Sequence, residues 1–108
     1  MARIPKRLYG PAQIATGPAT VYTVPALTKT ILRHIHISNP STAPVKLTLS
    51  IGADAAATRL YETFSIAAKT VLDFYWYIIM DAAQILTLSA DTDSILVIVI
   101  NGDEIILG

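Results

Sequence analysis

The segment Val45–Ile51 (VKLTLSI) alternates between apolar and polar side chains without exception. In an extended strand, successive side chains point to opposite faces, so its Val, Leu and Ile residues share one face. Alternation of this kind is typical of a β-strand with one face on a core and the other in solvent. The segment therefore predicts a sheet that packs on a single side.

Segments of similar character occur on both sides of this strand, with turn signals about every 8–12 residues. They are rich in Val, Ile, Thr and Tyr, which favour strands. No stretch of ten or more residues keeps a helical period. The predicted strands are residues 19–24, 30–38, 45–51, 59–66, 71–80, 85–90 and 95–100, then 104–107 after an Asn101-Gly102 hairpin turn. We expect an all-β, single-domain β-sandwich of about eight strands with jelly-roll-like or Greek-key topology.

The first 16 residues differ from the rest of the chain. They carry Arg3, Lys6 and Arg7 together with two prolines, and they are too polar and short to form a core of their own. We therefore predict a basic arm over residues 1–16 and a β-sandwich domain over residues 17–108. In the alternative interpretation, the arm pairs along an edge of its own sheet.

Charge is distributed unevenly although the 108 residues sum to zero. Residues 1–50 hold six Lys and Arg with no Asp or Glu, whereas residues 51–108 hold two Lys and Arg with eight Asp and Glu. Either the halves interleave and mix their charges, or one subunit's basic end meets its neighbour's acidic edge. Basic residues cluster only over residues 3–7, so no nucleic-acid partner is predicted. No apolar run is long enough for a membrane helix, so no membrane partner is predicted either.

Residues suited to catalysis are scarce. The chain has no Cys, and its two His residues are His34 and His36. Residues two apart on a strand point to one side, so this pair resembles part of a cupin metal site. That site also needs a nearby carboxylate and a third His, which the sequence does not supply. We predict no catalytic residues, no cofactor and no metal site, and therefore no enzyme.

Two segments predict an association surface. Residues 95–100 (ILVIVI) are apolar on both faces, which predicts a central strand covered by the other sheet and by a neighbouring subunit. Coverage by a loop or by the arm is the alternative. In residues 74–77 (FYWY), Phe74 and Trp76 are expected in the core, with Tyr75 and Tyr77 outside as interface anchors.

Several segments resemble a group of small virion proteins of tailed bacteriophages. They are residues 21–25 (VYTVP), 29–39 (KTILRHIHISN), 47–54 (LTLSIGAD), 58–60 (TRL) and 100–104 (INGDE). The resemblance covers roughly residues 20–104 and implies a compact β-sandwich that is an accessory head or tail component. It implies a non-enzymatic structural protein of the virion, assembled in the host cytoplasm. We expect a capsid decoration or cement protein; the alternatives are a tail- or collar-associated subunit and a small cupin-like metal-binding protein.

The expected partners are further copies of the chain and the major capsid or tail proteins of the virion. A homo-oligomer is predicted, with a trimer favoured because capsid lattices offer three-fold positions. The arm is expected to be disordered alone and to order on a neighbouring subunit or an acidic capsid surface. The predicted interface residues are Arg3, Lys6, Arg7, Tyr75, Tyr77, Leu96, Ile98 and Ile100.

Overall fold

A computed structural model describes residues 2–53, 55 and 57–107 as an all-β domain. Its strands are β1 (Ala2–Gln13), β2 (Ala19–Thr23), β3 (Thr28–Asn39), β4 (Val45–Ile51), β5 (Arg59–Ile66), β6 (Thr70–Met80), β7 (Ile85–Ala90) and β8 (Val97–Ile106). Within these described residues, no helix is long and apolar enough to cross a membrane.

The strands form two antiparallel four-stranded sheets. Sheet I has the order β1-β8-β3-β6, and sheet II has the order β2-β7-β4-β5. The strand pairs are nested along the chain: β1 pairs with β8, β2 with β7, β3 with β6, and β4 with β5. The chain is therefore equivalent to one long hairpin, with its turn between β4 and β5, that is wound into a sandwich. This arrangement is the eight-stranded jelly roll, which confirms the predicted fold.

The core lies between the sheets and is built by alternation. In β4, Val45, Leu47 and Leu49 are buried, as the sequence predicts. In β6, the residues from Leu72 to Met80 at even positions pack on the core, whereas those at odd positions are exposed. Since both strands show a period of two, the sequence pattern predicts their orientation correctly.

The N-terminal segment is a strand of the sandwich and not a separate arm. β1 pairs with β8 from Ala2 opposite Ile106 to Gln13 opposite Val97. Leu8 is buried in the core, and so is Ile14, directly after the strand. The predicted arm that orders only on a neighbour is therefore corrected in favour of the alternative, pairing along its own sheet edge. The reason is that these apolar side chains, which follow the three basic residues, add to the core.

The predicted Asn101-Gly102 hairpin is wrong, because β8 continues through both residues and pairs on both sides. Gly102 lies opposite Lys6 of β1 and Leu32 of β3. A Cβ atom on Gly102 would overlap the carbonyl oxygen of Ile31 and lie 2.9 Å from Leu8 Cδ1. Glycine is needed here for the close approach of three strands and not for a turn.

A β-bulge in β3 changes which side chains face outward. The register shifts between Leu32 and His34 against both β8 and β6. Leu32 and Ile35 therefore both reach the core, while Arg33 and His34 lie together on the outer face of sheet I. Ile31 is not in the core cluster that contains Ile35, although both are at odd positions, because a bulge re-aims the residues on one side of it.

Substitution of Gly102 by Ala tests the crowding at this position. The added methyl group meets backbone and a core leucine, so we expect Gly102→Ala to lower the free energy of unfolding by about 1–3 kcal/mol in denaturant titrations. Gly17→Ala is the matched control: no atom lies within 4 Å of its Cβ position, and a change within about 0.5 kcal/mol is expected. Equal effects of the two substitutions would contradict the close approach.

Candidate interaction surface

Exposed apolar side chains concentrate on one side of the sandwich, along the edge strands β5 and β6. Of nine exposed large hydrophobic side chains among the described residues, six lie on these two strands: Leu60, Phe64, Val71, Tyr75, Tyr77 and Ile79. Tyr75 is 80% exposed and Tyr77 is 65% exposed, which matches their predicted outward orientation. Exposed apolar side chains that concentrate in this way mark candidate association sites.

An aromatic cluster behind this surface joins the two sheets. The ring of Tyr61 on β5 lies 5.6 Å from that of Phe74 and 5.8 Å from that of Trp76, both on β6. Trp76 Nε1 donates a hydrogen bond of 2.6 Å to the Tyr61 hydroxyl. Phe64 adds an edge-on contact with Phe74 at 5.6 Å. These contacts hold β5 against β6, so the exposed side chains sit on a packed support.

A polar network lies beside Tyr75 on the outer face of sheet I. His34 Nε2 and His36 Nδ1 each lie 2.8 Å from the same oxygen, Asp73 Oδ1. Asn101 Nδ2 lies 3.1 Å from His34 Nδ1, and Tyr75 stacks on the His34 ring at 4.9 Å between centroids. With Asn101 as donor, His34 accepts at Nδ1 and donates from Nε2 to Asp73.

The network changes the acidity of its carboxylate. Hydrogen bonds from His36 and then from His34 lower the pKa of Asp73 below its ordinary value, against a smaller opposing effect of burial. The predicted His pair thus meets a carboxylate that the sequence analysis did not assign to it. Within residues 2–53, 55 and 57–107, no group of three or more His, Cys, Asp or Glu side chains is placed to hold a metal ion.

Arg3 and Arg33 converge on a single acid of β8. Arg3 Nε and Nη2 lie 3.0 and 2.6 Å from Asp103 Oδ2, and Arg33 Nη1 lies 3.2 Å from the same oxygen. Asp103 is only 7% exposed. Two guanidinium groups therefore compensate a largely buried carboxylate. Arg33 also lies over the Tyr77 ring at 5.8 Å, which links this pair to the exposed surface.

Lys6 pairs with the neighbouring acid, Glu104. Lys6 Nζ lies 3.2 Å from Glu104 Oε1, and the Tyr22 hydroxyl donates to Oε2 of this 7% exposed residue. Tyr22 also lies 2.8 Å from Thr30 Oγ1. Burial, and next the bond to Glu104, raise the pKa of Tyr22 well above its ordinary value. Tyr22 therefore remains a neutral donor to the carboxylate.

Ion pairs within the subunit therefore join the basic half to the acidic half. Besides the pairs to Asp103 and Glu104, Lys29 Nζ lies 3.0 Å from Asp81 Oδ1. Of the two interpretations of the uneven charge, the structure supports mixing within one subunit. Arg3 and Lys6 already have acidic partners, whereas Arg7 is exposed and has no ion pair among the described residues. A contact of these three cations with a neighbour stays a prediction.

Leu96, Ile98 and Ile100 are 0% exposed and belong to the core, so their predicted role at an interface is corrected. The outward side chains of this strand are those at odd positions, including Val97 and Val99, which are half-buried. A segment that is apolar on both faces carries no local signal for which face meets the other sheet. The sequence therefore predicts the strand correctly but does not indicate which of its two faces is buried.

The sequence analysis missed Val71, Asp73 and Ile79 as members of this surface. They share the odd positions of β6 with the two predicted tyrosines, and Val71 and Ile79 are 56% and 54% exposed. The alternation used to place Tyr75 and Tyr77 outside also places these three side chains outside. The signal was therefore present in the sequence.

Replacing Lys6 by Gln tests whether the basic segment is part of the folded subunit. The change removes the cation beside the largely buried Glu104. We expect the free energy of unfolding to fall by about 1–2 kcal/mol, a value that already allows for solvent screening of the half-exposed lysine. Arg7→Gln is the control, with a change within about 0.5 kcal/mol. If both substitutions are neutral, the Lys6–Glu104 contact does not stabilise the fold.

The acid titration of Asp73 tests the polar network. Because its pKa is lowered, the ionised carboxylate stabilises the fold above the ordinary carboxyl pKa of about 3.9, and this stabilisation is lost as pH falls through the lowered pKa. Carboxyl NMR titration should give a midpoint below about 3.9. His36→Gln should raise this midpoint more than His34→Gln, and an unchanged midpoint in the double variant would contradict the network.

No protein-family model, curated protein or solved structure matches this chain. The resemblance to bacteriophage virion proteins therefore stays a prediction from the sequence.

Proposed function

We propose that this chain is a non-enzymatic structural subunit of a bacteriophage virion, and specifically a capsid decoration or cement protein. The observation that carries the proposal is the exposed apolar row of β6, formed by Val71, Tyr75, Tyr77 and Ile79 on one face of a small jelly roll. A surface of this kind suits permanent contact with other proteins, because aromatic side chains bury large area with little loss of conformational freedom.

The fold is compatible with this role. Jelly rolls serve in viral capsids, lectins and cupins, so the topology alone does not select among these uses. The sequence resemblance favours the viral use. The surface favours association, because its tyrosines are supported from behind by the Tyr61 cluster and flanked by Arg33.

The proposed partners are further copies of the chain and the major capsid protein, in particles assembled in the host cytoplasm. The trimer predicted from three-fold capsid positions belongs to this proposal. The unpaired Arg7 would add a contribution that weakens with salt, since exposed charges are screened at distances of about 8–10 Å at physiological ionic strength.

Binding to purified particles that lack the protein tests this proposal. We expect Tyr75→Ala/Tyr77→Ala to weaken attachment at least about tenfold in co-sedimentation, because each substitution removes an exposed aromatic anchor. Leu27→Ala is the matched control: Leu27 is 72% exposed but lies in the turn before β3, and attachment should be unchanged. Equal attachment of all three proteins would contradict the role of the β6 row.

Immunogold labelling of complete virions gives the location. Label on the head supports the capsid role, label on the tail supports the tail- or collar-associated alternative, and unlabelled virions overturn the proposal.

Metal analysis tests the cupin-like alternative. Stoichiometric zinc, iron or manganese that is lost in His34→Ala/His36→Ala would favour metal binding over a purely structural role.

A further inference from the structure

We propose that the free edge of β6 pairs antiparallel with β6 of a second copy, around a two-fold axis at Tyr75. The two copies of sheet I would then form one continuous eight-stranded sheet. The partner is therefore a second copy of this chain, and the contact combines backbone hydrogen bonds with matched side chains. This inference does not depend on the virion role.

The two edges of sheet I differ in how they are protected. β1 carries Pro5 and Pro11, three basic residues and two register shifts, all of which hinder the addition of a strand. β6 has one register shift, against β3 between Ile78 and Tyr75, but it has neither proline nor a basic residue, and its side chains alternate between exposed and inward positions over eleven residues. Among the described residues, β6 pairs only with β3, so its other edge is open. A long apolar edge without such protection is a template for another strand.

The sequence of β6 is complementary to itself when it is reversed about Tyr75. The facing pairs are Thr70 with Met80 at the ends, then Val71 with Ile79, Leu72 with Ile78, Asp73 with Tyr77, Phe74 with Trp76, and Tyr75 with its own copy. Aliphatic residues thus face aliphatic residues, and aromatic residues face aromatic residues, which are favourable cross-strand pairs. A two-fold contact requires this kind of self-complementarity.

Other registers are less favourable. A shift by one residue would set the inward side chains of one copy beside the outward side chains of the other. A shift by two leaves two residues of each eleven-residue strand unpaired. In the proposed register no two like charges face each other. Asp73, the one charged side chain of β6, would lie beside Tyr77 of the second copy. In each copy the Arg33 guanidinium carbon lies 5.8 Å from the centroid of the Tyr77 ring, so a cation is close to this carboxylate.

Sheet II presents its own edge on the same side. The contacts of Tyr61 with Phe74 and Trp76 place β5 across the core from β6. A two-fold axis beside β6 therefore also brings the two β5 edges towards each other. Leu60 and Phe64 are 43% and 38% exposed there. The contact thus brings the exposed apolar side chains of β6 from two copies beside one another and places the β5 edges near the same axis.

The contact is two-fold and predicts an even number of copies, which differs from the predicted trimer. Sedimentation of the purified protein distinguishes the two: a dimer is expected, and a monomer or trimer at every soluble concentration would overturn the pairing. The dimer and the trimer exclude each other, whereas the virion role is tested separately by the labelling of virions and can hold or fail with either.

Cysteine cross-linking tests the register, because the chain contains no cysteine of its own. Tyr75→Cys should give a disulfide-linked dimer under mild oxidation, since facing Cα atoms lie about 4.5–5.5 Å apart and a disulfide needs about 4.4–6.8 Å. Val71→Cys alone should stay monomeric on a non-reducing gel, because the two copies of residue 71 would be about 26 Å apart. Mixed with Ile79→Cys, it should form the cross-link.

Two kinds of result, from cross-linking and from thiol labelling, would overturn the proposed edge pairing. One is cross-linking of Val71→Cys alone as efficient as that of Tyr75→Cys, or no cross-link in the mixture. The other is protection of Val99→Cys from a thiol reagent in the dimer, because Val99 lies two strands from the β6 edge and only face-to-face stacking would cover it.

A charge substitution tests the contact without oxidation. Tyr75→Lys places two like charges opposite each other at the axis and should weaken dimerisation by about tenfold or more. Leu27→Lys introduces the same charge at an exposed leucine seven residues before His34, the residue that faces Tyr75, and should leave dimerisation unchanged. Circular dichroism of both variants confirms that they fold, and equal dimerisation of both would overturn the proposal.

Discussion

The central position of β8 is the constraint on which the rest of the structure depends. β8 pairs with β1 on one side and with β3 on the other, and it buries Ile98 and Ile100 completely between the sheets. Gly102 permits this because it has no side chain where the backbone of Ile31 and the side chain of Leu8 approach. A strand that pairs on both sides and is covered on one face has no freedom to shift its register, so it sets the positions of its neighbours.

The nested strand pairing also explains the uneven charge of the chain. Each of the pairs β1–β8, β2–β7, β3–β6 and β4–β5 joins a strand of the basic half to a strand of the acidic half. Arg3 and Lys6 consequently lie beside Asp103 and Glu104, almost a full chain length away in sequence. The folded subunit therefore has little need of a neighbour to balance its charge. The exposed apolar row of β6 is then the surface that we propose for association.

The interaction surface follows from a single strand with two different faces. The even positions of β6 complete the core through Phe74 and Trp76, and the odd positions present Tyr75 and Tyr77 to solvent. Because the same strand is the edge of its sheet, its side chains and its backbone are both available to a partner. The bulge in β3 adds Arg33 and His34 beside the tyrosines.

The sequence by itself determined that the fold is all-β, the approximate bounds of most strands, and the outward position of Tyr75 and Tyr77. These features follow from alternation, which is a local property of each segment. It did not determine which face of residues 95–100 is buried, that Asn101-Gly102 continues a strand, or that the basic arm is β1. Each of these depends on pairing between distant segments, as in the contact of Arg3 with Asp103 across 100 residues. Only the tertiary structure brings such partners together, and their contacts override local signals such as the Asn-Gly turn.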